Sequence, residues 1–505
     1  MTRALSTLLD EVKTIQRIGA LDPQIETLAY DSRDVSPGSL FFALPGIHSD
    51  GHTFIHEAVS SGALAIVHSS PLEKTKAGVV YLRVNDSRRA MSPISAAFYG
   101  HPSRKLRVIG VTGTDGKTTT CYFIQQLLEF LGKKSGLVST VYHKIGSSYE
   151  KNPLKTGTPE APEIHRILNE MLEVGEEYAV VEATSHGLSE KNNRLGDLAF
   201  DAAVLTNITH EHIEFHGSFE SYRYDKANLF RALDRSGSKD VFGVVNAGDP
   251  NQEYFRDATK SPVLSYGLNS DADLVATDLH ETVEGINFQL NWEDGSCEAS
   301  LNLPGLFNVE NAMAALLATG RLVGSTIDEL ATLLPKLTPT PGRMQRLSKG
   351  QPFDVIVDFA HSPGAFEKVL PEVRKKTLGR LVILFGSAGD RDLEKRPMQG
   401  EIAARYGDVI VLSDEDPRGE DPMKILEDIA AGCRREKPDL ILGEELFLIP
   451  DRRRAIQKAF DIADTDDLVM LLGKSHESSI TYADRTEDWN EVLVAEGCLT
   501  LMGYG

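Results

Sequence analysis

The fold is decided by one stretch of sequence, Val108-Ile109-Gly110-Val111-Thr112-Gly113-Thr114-Asp115-Gly116-Lys117-Thr118-Thr119-Thr120. Residues 107–111 are mostly apolar and β-branched, which predicts a buried strand. Two glycines follow, and a helical pattern then begins near Thr118 and ends at about Leu131. A strand, a glycine turn, Gly-Lys-Thr and a helix form the layout of a phosphate-binding loop, so this stretch predicts an ATP site.

The residues of this loop have expected roles. Lys117 would reach the β- and γ-phosphates, and the hydroxyl of Thr118 or Thr119 would hold Mg²⁺. The usual Gly-x4-Gly-Lys-Ser/Thr spacing is not met, because Val111 stands where the first glycine belongs. The strand and the helix on either side nevertheless argue against a chance glycine-rich turn. The predicted ATP-binding residues of the loop are Gly113, Thr114, Asp115, Gly116, Lys117, Thr118 and Thr119.

Length and composition limit the class of protein. A chain of 505 residues is too long for one core, so several domains are expected. The net charge of −21 argues against nucleic acid or an anionic membrane as a partner. Four scattered cysteines, no signal peptide and no apolar run of roughly 18 residues predict a cytoplasmic protein without a membrane span. We expect a monomer.

Short apolar strands alternate with helical patterns along the whole chain, which predicts an α/β fold. A polar linker at residues 100–104 and a Pro/Thr/Gly hinge at residues 337–344 suggest domain boundaries. We predict three domains: a smaller N-terminal α/β domain (1–103), a central P-loop domain with a parallel doubly wound sheet (104–337), and a C-terminal Rossmann-like α/β domain (338–505).

The variant loop Gly113-Thr114-Asp115-Gly116-Lys117-Thr118-Thr119 resembles the signature of the Mur ligases, although most members carry Asn where Asp115 stands. These enzymes build the peptide of the bacterial cell-wall precursor. Tyr30-Asp31-Ser32-Arg33, followed by Phe41-Phe42-Ala43-Leu44-Pro45-Gly46, resembles their nucleotide-sugar domain. The resemblance implies that Ser32 and the turn at residues 47–49 contact the UDP part of the substrate; Ser32 as a plain turn residue is the alternative.

A magnesium site is expected beside the phosphate loop. Glu182 closes a buried strand, where a carboxylate is costly unless a cation compensates it. By resemblance His212 is a further Mg²⁺ ligand, while His210 and His216 are solvated or lie behind the ligands. The same resemblance implies that Lys226 carries a carbamate, whose oxygens suit Mg²⁺; a surface lysine is the alternative.

Other polar residues are assigned to substrates by the same resemblance. Asn308 would touch the nucleotide, or else act as a helix N-cap; Arg343 would reach the ATP phosphates. His186 is left as a capping histidine or part of the site. The predicted contacts to the UDP-substrate are Ser32, Thr156, Gly157, Thr158, Ser185 and Arg194.

Four polar loops follow predicted strands of the last domain and resemble the amino-acid-binding loops of the family. Asp416 stands where members that add diaminopimelate typically carry Asn, which favours lysine or ornithine as the added amino acid. The predicted amino-acid-binding residues are Arg391, Glu415, Asp416, Pro417, Arg418, Gly473 and Glu477.

The resemblance implies a ligase with ATP and Mg²⁺ that joins a free diamino acid to UDP-MurNAc-L-Ala-D-Glu through an acyl phosphate. Its catalytic residues would be Lys117, His212, Lys226 and Arg343. The same ligase with specificity for meso-diaminopimelate is the first alternative. A folylpolyglutamate synthetase-like ligase is more distant, because that family begins near its phosphate loop. A nucleotide-switched binding protein would lack the arginine loops.

Overall fold

The computed structural model describes residues 1–46, 50–152, 157–209, 213–268, 271–281, 285–340, 342–475 and 477–505. The chain divides into two compact units by its internal contacts. The first comprises Met1–His280, Asn287–Leu301 and Leu306–Leu337, and the second comprises Glu281–Ile286, Asn302–Gly305 and Thr338–Gly505. None of the helices in the described ranges combines the length and the apolar content that crossing a membrane demands.

The N-terminal part of the first unit is built on a small sheet. Its strands and helices are β1 (Arg3–Ala4), β2 (Thr14–Ile18), β3 (Gln24–Ile25), β4 (Thr27–Ala29), β5 (Ser39–Phe42), α1 (Ile55–Ser60), β6 (Ala65–His68), β7 (Val80–Val84) and α2 (Ser87–Phe98). The sheet has the order β2-β7-β6-β5-β4, and β4, β5, β6 and β7 pair in parallel. β5 and β6 are buried along their whole length, as expected when both faces of a parallel sheet are covered.

The central part of the first unit follows. Its elements are β8 (Arg107–Thr112), α3 (Lys117–Phe130), β9 (Ser135–Val138), β10 (Tyr142–Ile145), β11 (Ser148–Lys151), α4 (Ala161–Glu173), β12 (Tyr178–Glu182), α5 (Ser185–Leu188), β13 (Ala202–Leu205), α6 (Ile213–His216), α7 (Phe219–Leu233), β14 (Phe242–Asn246), α8 (Gln252–Arg256), β15 (Val263–Leu268), β16 (Leu274–Glu281), β17 (Ile286–Trp292), β18 (Gly295–Leu301), α9 (Leu306–Val323) and α10 (Ile327–Ala331).

These strands form an eleven-stranded sheet in the order β11-β10-β9-β12-β8-β13-β14-β15-β16-β17-β18. Pairing is parallel from β9 to β16 in that order, which confirms the predicted α/β class. One edge differs from the prediction, because β10 and β11 form an antiparallel hairpin. The hairpin is too polar in sequence to stand out from a loop.

The strand order brings predicted ATP- and Mg²⁺-binding residues to one edge of the sheet. β8 lies between β12 and β13, with Glu182 paired to Val111 and Leu205 paired to Thr112. The carboxyl ends of these three strands therefore meet at one edge of the sheet. Ligands bind at this edge in open parallel sheets.

The second unit carries its own sheet. Its elements are β19 (Gln345–Leu347), β20 (Asp354–Asp358), α11 (Pro363–Lys376), β21 (Leu381–Phe385), α12 (Lys395–Tyr406), β22 (Val409–Leu412), α13 (Pro422–Glu436), β23 (Leu446–Leu448), α14 (Arg452–Asp461), β24 (Leu468–Leu472), β25 (Ser479–Thr481), β26 (Thr486–Asp488) and α15 (Glu491–Leu501). The six-stranded order is β19-β20-β24-β21-β22-β23, parallel except for β19. Its two faces bury separate apolar clusters, so both sides of the sheet are covered.

Candidate active site

The phosphate loop connects β8 to α3 and depends on its two glycines. Gly113 and Gly116 have φ values of +148° and +79°, in the region that favours glycine. A Cβ atom would lie 1.9 Å from Thr206 Oγ1 at Gly113 and 2.4 Å from Asn311 Oδ1 at Gly116. Only glycine therefore fits, and the first backbone N–H groups of α3 remain available to an anion.

Two residues after β13 hold the loop in place. Asn207 accepts hydrogen bonds from the backbone nitrogens of Thr114 (2.8 Å, through its carbonyl) and Asp115 (3.1 Å, through Oδ1). Thr206 Oγ1 donates to the Asp115 carbonyl oxygen at 2.6 Å. Sequence reasoning missed these supports, although a Thr-Asn pair directly after a buried strand is a signal that could have found them.

Lys117 and Glu182 each contact the phosphate loop or the first turn of α3. Lys117 Nζ donates to the Thr114 carbonyl oxygen at 2.7 Å. The Glu182 carboxylate is buried and accepts from Thr118 Oγ1 at 3.0 Å and from the Thr140 backbone nitrogen at 2.9 Å. A threonine hydroxyl beside a buried carboxylate is a set of hard oxygen donors, which fits Mg²⁺. Thr119 is half-buried in the same turn.

Lys226 reaches the loop from α7. Its side chain is 1% exposed, so it is not the solvated surface lysine of the alternative interpretation. Nζ lies 2.5 Å from the Gly113 carbonyl oxygen and 4.6 Å from the centre of the Tyr222 ring. The Tyr222 hydroxyl in turn lies 3.0 Å from Thr114 Oγ1. A long side chain from a distant helix thus ends at the first glycine of the phosphate loop.

The predicted histidine ligands fall partly outside the described residues. His210 and His212 belong to a segment that the structure does not describe, so the predicted role of His212 is untested. Among the described residues no group of three or more His, Cys, Asp or Glu side chains could hold a metal ion. His216 is not solvated, because its side chain is fully buried.

Several predicted substrate residues meet beside β12. Thr158 Oγ1 donates to the Glu182 carbonyl oxygen at 3.0 Å and lies 2.8 Å from Thr184 Oγ1. Arg194 donates to the Thr158 carbonyl oxygen at 2.8 Å and to Glu160 at 2.7 Å. Gly157 packs closely here, since its Cβ would lie 2.7 Å from Thr184 Cγ2. Thr156 and residues 47–49 lie outside the described residues.

Ser185 stands at the start of α5 and its hydroxyl lies 3.1 Å from His216 Nε2. Thr184, not His186, caps this helix through a bond to the Gly187 nitrogen at 3.2 Å. The His186 ring instead lies against Phe215, with 4.0 Å between ring centres. The capping role considered for His186 is therefore wrong.

Two further predictions concern Asn308 and Ser32. α9 begins at Leu306, so Asn308 is a buried residue of the first turn and not its N-cap. Asn311, one turn on, accepts from Thr120 Oγ1 at 3.2 Å and thereby joins α9 to the phosphate-loop helix. Ser32 begins a 3₁₀ helix capped by Asp31 and donates to Glu57 at 3.3 Å.

In the second unit Arg343 packs on an aromatic ring beside a buried acid. Its guanidinium carbon lies 4.5 Å from the centre of the Phe359 ring. Asp358 ends β20 and accepts from the backbone nitrogens of Met344 and Ala360, each at 2.8 Å. Burial raises the pKa of Asp358, and the charge of Arg343 opposes that rise.

An acidic cluster follows β22 and β24. Lys474 is completely buried; its ammonium lies 3.2 Å from Asp416 Oδ1 and also bonds the Glu477 carboxylate. Asp416 further accepts from the Thr481 nitrogen at 2.8 Å. Glu415 is buried with Oε2 lacking a partner among the described residues, 3.3 Å from where a Cβ of Gly473 would lie. Two carboxylates therefore share one ammonium, and Glu415, which precedes Asp416 in the chain, adds a third acid that is also buried. Sequence reasoning missed Lys474.

The other predicted residues of these loops lie around the cluster. Arg418 follows Pro417 with φ of 55°, and its nitrogen donates to the Thr481 carbonyl oxygen at 2.9 Å. The loop that carries the exposed Arg391 is joined to the cluster, because the Gly389 nitrogen donates to the Asp416 carbonyl oxygen at 2.8 Å.

Arg452 on α14 supports both strands that lead into the cluster. It donates to the carbonyl oxygens of Asp414 (3.0 Å) and Leu472 (2.7 Å), which follow or end β22 and β24. Its charge is balanced by Glu491 of α15 at 2.6 Å, and both side chains are fully buried. Each of the three guanidinium nitrogens has a hydrogen-bond partner, which offsets the cost of burying a charged pair at this depth.

Comparison with known proteins places this arrangement among ligases. The model of the Mur ligase middle domain matches residues 111–319, that of the Mur ligase glutamate ligase domain matches 342–475, and that of the Mur ligase family catalytic domain matches 24–99.

Individual relatives agree over nearly the whole length. A Treponema denticola protein named UDP-N-acetylmuramyl-tripeptide synthetase is 44% identical, covering 99% of this chain and 98% of its own. A Geobacillus thermodenitrificans protein named UDP-N-acetylmuramoyl-L-alanyl-D-glutamate–2,6-diaminopimelate ligase is 38% identical, covering 98% and 99%. A solved structure of a ligase with the latter name has a TM-score of 0.67 and 28% identity over both complete chains.

Proposed function

This chain belongs to the Mur ligase family, and we propose that it joins a diamino acid to UDP-N-acetylmuramoyl-L-alanyl-D-glutamate with the consumption of ATP. As a family member it is a ligase that forms carbon–nitrogen bonds in peptidoglycan precursor synthesis. We assign its work to three domains, residues 1–103, 104–337 and 338–505. The separate sheets and the separate matched segments support that division. We further propose that it works in the cytoplasm, in keeping with four cysteines that are all free.

The proposed reaction begins at the phosphate loop. A carboxylate oxygen of the D-glutamyl residue attacks the γ-phosphorus of ATP, the bond to ADP breaks, and an acyl phosphate forms. The free amine of the diamino acid then attacks the acyl carbon, phosphate leaves with the electrons of the broken bond, and the nitrogen loses one proton to give the amide. Stabilising charge on the transferring group is the main catalytic task in such chemistry.

The observation that carries this proposal is the contact of three groups with one phosphate loop. Lys117 bonds the loop carbonyl of Thr114, Thr118 bonds the buried Glu182, and the ammonium of Lys226 lies against Gly113. The contact with Thr114 supports the proposed role of Lys117 in neutralising phosphate oxygens. Thr118 and Glu182 would hold Mg²⁺, which offsets phosphate charge when it is bound. The roles of His212 and of Arg343 rest on the family resemblance alone.

The carbamate proposed for Lys226 rests on the family resemblance, because the contacts of its Nζ with the Gly113 carbonyl oxygen and the Tyr222 ring also suit an ammonium. A cation beside a bound Mg²⁺ would repel the metal, whereas a carbamate would add two hard anionic oxygens. The ammonium first loses one proton, and the neutral amine then forms an N–C bond with CO₂ and loses a second proton, so the side chain changes from cation to anion. We therefore keep the carbamate on Lys226 as part of the proposal.

The decisive experiment measures phosphate release with each substrate present or absent. We expect release only when ATP, the UDP-dipeptide and a diamino acid are all supplied, together with a product heavier by one diamino acid residue. Release without an amino acid would favour a nucleotide-switched binding protein. Release with a folate and glutamate would favour a folylpolyglutamate synthetase-like ligase. Either result would overturn the proposal.

We propose lysine or ornithine as the diamino acid, because the acidic cluster carries an excess of negative charge. Lys474 pairs with both Asp416 and Glu477, so with the buried Glu415 the cluster sets three carboxylates against one ammonium. Lysine and ornithine carry two ammonium groups and one carboxylate, whereas diaminopimelate brings a second carboxylate. Placing that carboxylate among three others is unfavourable in a closed site. Arg391 and Arg418 could still take one substrate carboxylate.

The measurement is kcat/KM for lysine, ornithine and meso-diaminopimelate on the wild type and on Asp416→Asn. We expect the wild type to prefer a substrate with two ammonium groups and one carboxylate. The variant should shift toward diaminopimelate by roughly tenfold, since it removes one anion from the cluster. Glu427→Gln makes the same chemical change on the exposed face of α13 and should shift nothing. A wild type that prefers diaminopimelate contradicts this assignment.

A further inference from the structure

A hydrogen-bonded chain of three side chains runs from α7 to the start of α5. Asp225 Oδ2 lies 2.8 Å from His216 Nδ1, and His216 Nε2 lies 3.1 Å from Ser185 Oγ. These hydrogen bonds depend on the local sequence between α6 and α7. Gly217 turns the backbone between α6 and α7, and Ser218 caps α7, so the His216 ring folds back toward Asp225.

The surroundings protect these bonds from water. The His216 side chain is completely buried, whereas 16% of the Asp225 side chain is accessible to solvent. The rings of Phe215 and Tyr222 meet that of His216 edge-on, with centres 4.7 Å and 5.2 Å away. Ser185 is itself 2% exposed. The His186 ring also packs edge-on against that of His216, with 5.4 Å between centres, so three rings shield these hydrogen bonds. A hydrogen bond shielded from water is stronger than one in water.

The partners determine which ring nitrogen carries the proton. An ionised carboxylate can only accept, so Asp225 requires the proton on Nδ1. In a neutral ring Nε2 is then an acceptor, and the only hydrogen that Ser185 Oγ can place toward it is its own. The hydroxyl proton of Ser185 is thereby committed to His216. The oxygen of Ser185 has only lone pairs left for any other partner.

We propose that Asp225 and His216 are positioning residues that make Ser185 a pure hydrogen-bond acceptor for a peptide N–H of the UDP-dipeptide. This inference rests on the proposed function, in which Ser185 contacts that substrate. A serine with a free proton would suit a substrate carboxylate. A serine whose proton is already donated repels a carboxylate and accepts a hydrogen bond from an amide N–H. The Asp225–His216–Ser185 contacts therefore favour a backbone N–H of the UDP-dipeptide over its carboxylate.

The first test needs no turnover. Nitrogen-15 NMR of the whole enzyme should show His216 as a neutral ring with its proton on Nδ1, identified by the signals that disappear in His216→Gln. The opposite tautomer, or a ring with both nitrogens protonated, would overturn the proposal because Ser185 would then keep its own proton. This readout is independent of which reaction the enzyme performs, so it separates this inference from the proposed function.

The second test uses Asp225→Asn, an isosteric change that can reverse the polarity of the chain. An amide can donate to Nδ1, which moves the ring proton to Nε2 and makes Ser185 accept from the ring. We expect the KM for the UDP-dipeptide to rise roughly tenfold while the KM for ATP and the Mg²⁺ requirement stay within about twofold. Ser185→Ala should raise the same KM roughly three- to tenfold.

Glu220→Gln is the matched control, because it makes the same carboxylate-to-amide change in the first turn of α7. It should leave all three constants unchanged. If Asp225→Asn alters the ATP or Mg²⁺ constants instead, the carboxylate acts through its neighbour Lys226 and the proposal is wrong. An unchanged KM for the UDP-dipeptide in both Asp225→Asn and Ser185→Ala would overturn it as well.

Discussion

At the scale of single residues, the sharpest expectation concerns Lys226. Lys226→Ala should lose most activity, roughly a hundredfold or more, because it removes the anionic oxygens that the carbamate would supply. Bicarbonate cannot modify alanine, but a short carboxylate such as acetate can occupy the vacated space and should restore part of the rate. The measurement is kcat against acetate concentration.

Lys117→Ala is the control for this rescue. It removes a cation, so acetate should not help it. Carbon-13 NMR of wild type kept in labelled bicarbonate should show one carbamate signal that is missing in Lys226→Ala. Full activity of Lys226→Ala in CO₂-free buffer without acetate would refute the role.

A substitution at Glu182 can distinguish the structural role of this side chain from the role of its negative charge. Glu182→Gln keeps an acceptor for Thr118 and the Thr140 nitrogen, both of which bond the native carboxylate, but removes the anion. We expect the Mg²⁺ concentration for half-maximal rate to rise roughly tenfold, with little change in the unfolding temperature. Should the Mg²⁺ dependence stay as in wild type, Glu182 serves only to hold the loop.

Candidate site residues were predictable from sequence where a short local motif marks both their fold position and their chemical type. The phosphate loop and Glu182 follow buried strands, so their place at the sheet edge follows from sequence alone. Lys474 was not predictable, because its partner Asp416 is 58 positions away and nothing local marks the pair. For His216 the sequence left two alternatives open, solvated or behind the ligands, because its burial depends on Phe215, Tyr222 and Ser185 meeting in space.

At the scale of elements, α4 carries a group that makes stability depend on pH. His165 is completely buried, and neither ring nitrogen has a hydrogen-bond partner in the described parts of the chain. Burial lowers its pKa to about 3 from 6.5. Below pH 6.5 the unfolded chain binds a proton that the folded chain refuses, so stability falls as the pH falls toward 3.

His165→Leu removes this liability. The variant should gain about 2 kcal/mol over wild type at pH 5 relative to the difference at pH 8, because each pKa unit corresponds to about 1.4 kcal/mol. Denaturant unfolding at both pH values measures it. His56→Leu makes the same change at an exposed position of α1 and should show no such pH dependence. An equal effect of His165→Leu at both pH values would contradict the expectation.

Element prediction succeeded where periodicity was strong. β12, β21, β22 and β24 lie where uninterrupted apolar runs predict strands, because strands buried on both faces need such runs. Weaker patterns were harder to place: a 3₁₀ helix at Gly51–Phe54 comes directly before α1, and the sequence does not mark the change from one to the other. The Asp50 side chain accepts from the His52 nitrogen at 3.0 Å and tightens that first turn.

At the scale of the whole molecule, the net negative charge of the protein repels the proposed anionic substrates. The chain carries −21, while ATP and the UDP-dipeptide are anions. Their approach is therefore slowed by long-range repulsion, which salt screens as the Debye length falls from about 30 Å at 0.01 M to about 8 Å at 0.15 M. We expect the KM for the UDP-dipeptide to fall roughly twofold over that range.

The KM for a cationic diamino acid, measured in the same assays, should stay level or rise, because the same field attracts it. The ionic strength should be varied with potassium chloride at constant free Mg²⁺, so that only the screening of charges changes between assays. A steep rise in the UDP-dipeptide KM with salt would mean that local basic groups, rather than the net charge, govern its approach.

The buried ammonium of Lys474 has a consequence for how such an enzyme can change over generations. A mutation at Asp416 alone leaves the ammonium bonded to Glu477, whereas a mutation at Lys474 alone leaves carboxylates crowded together in a dry interior. The first step is therefore tolerated, and the second destabilises the fold. A lineage can thus exchange one cell-wall amino acid for another by changing Asp416 first, and Lys474 should be replaced only after a carboxylate of the cluster has been lost.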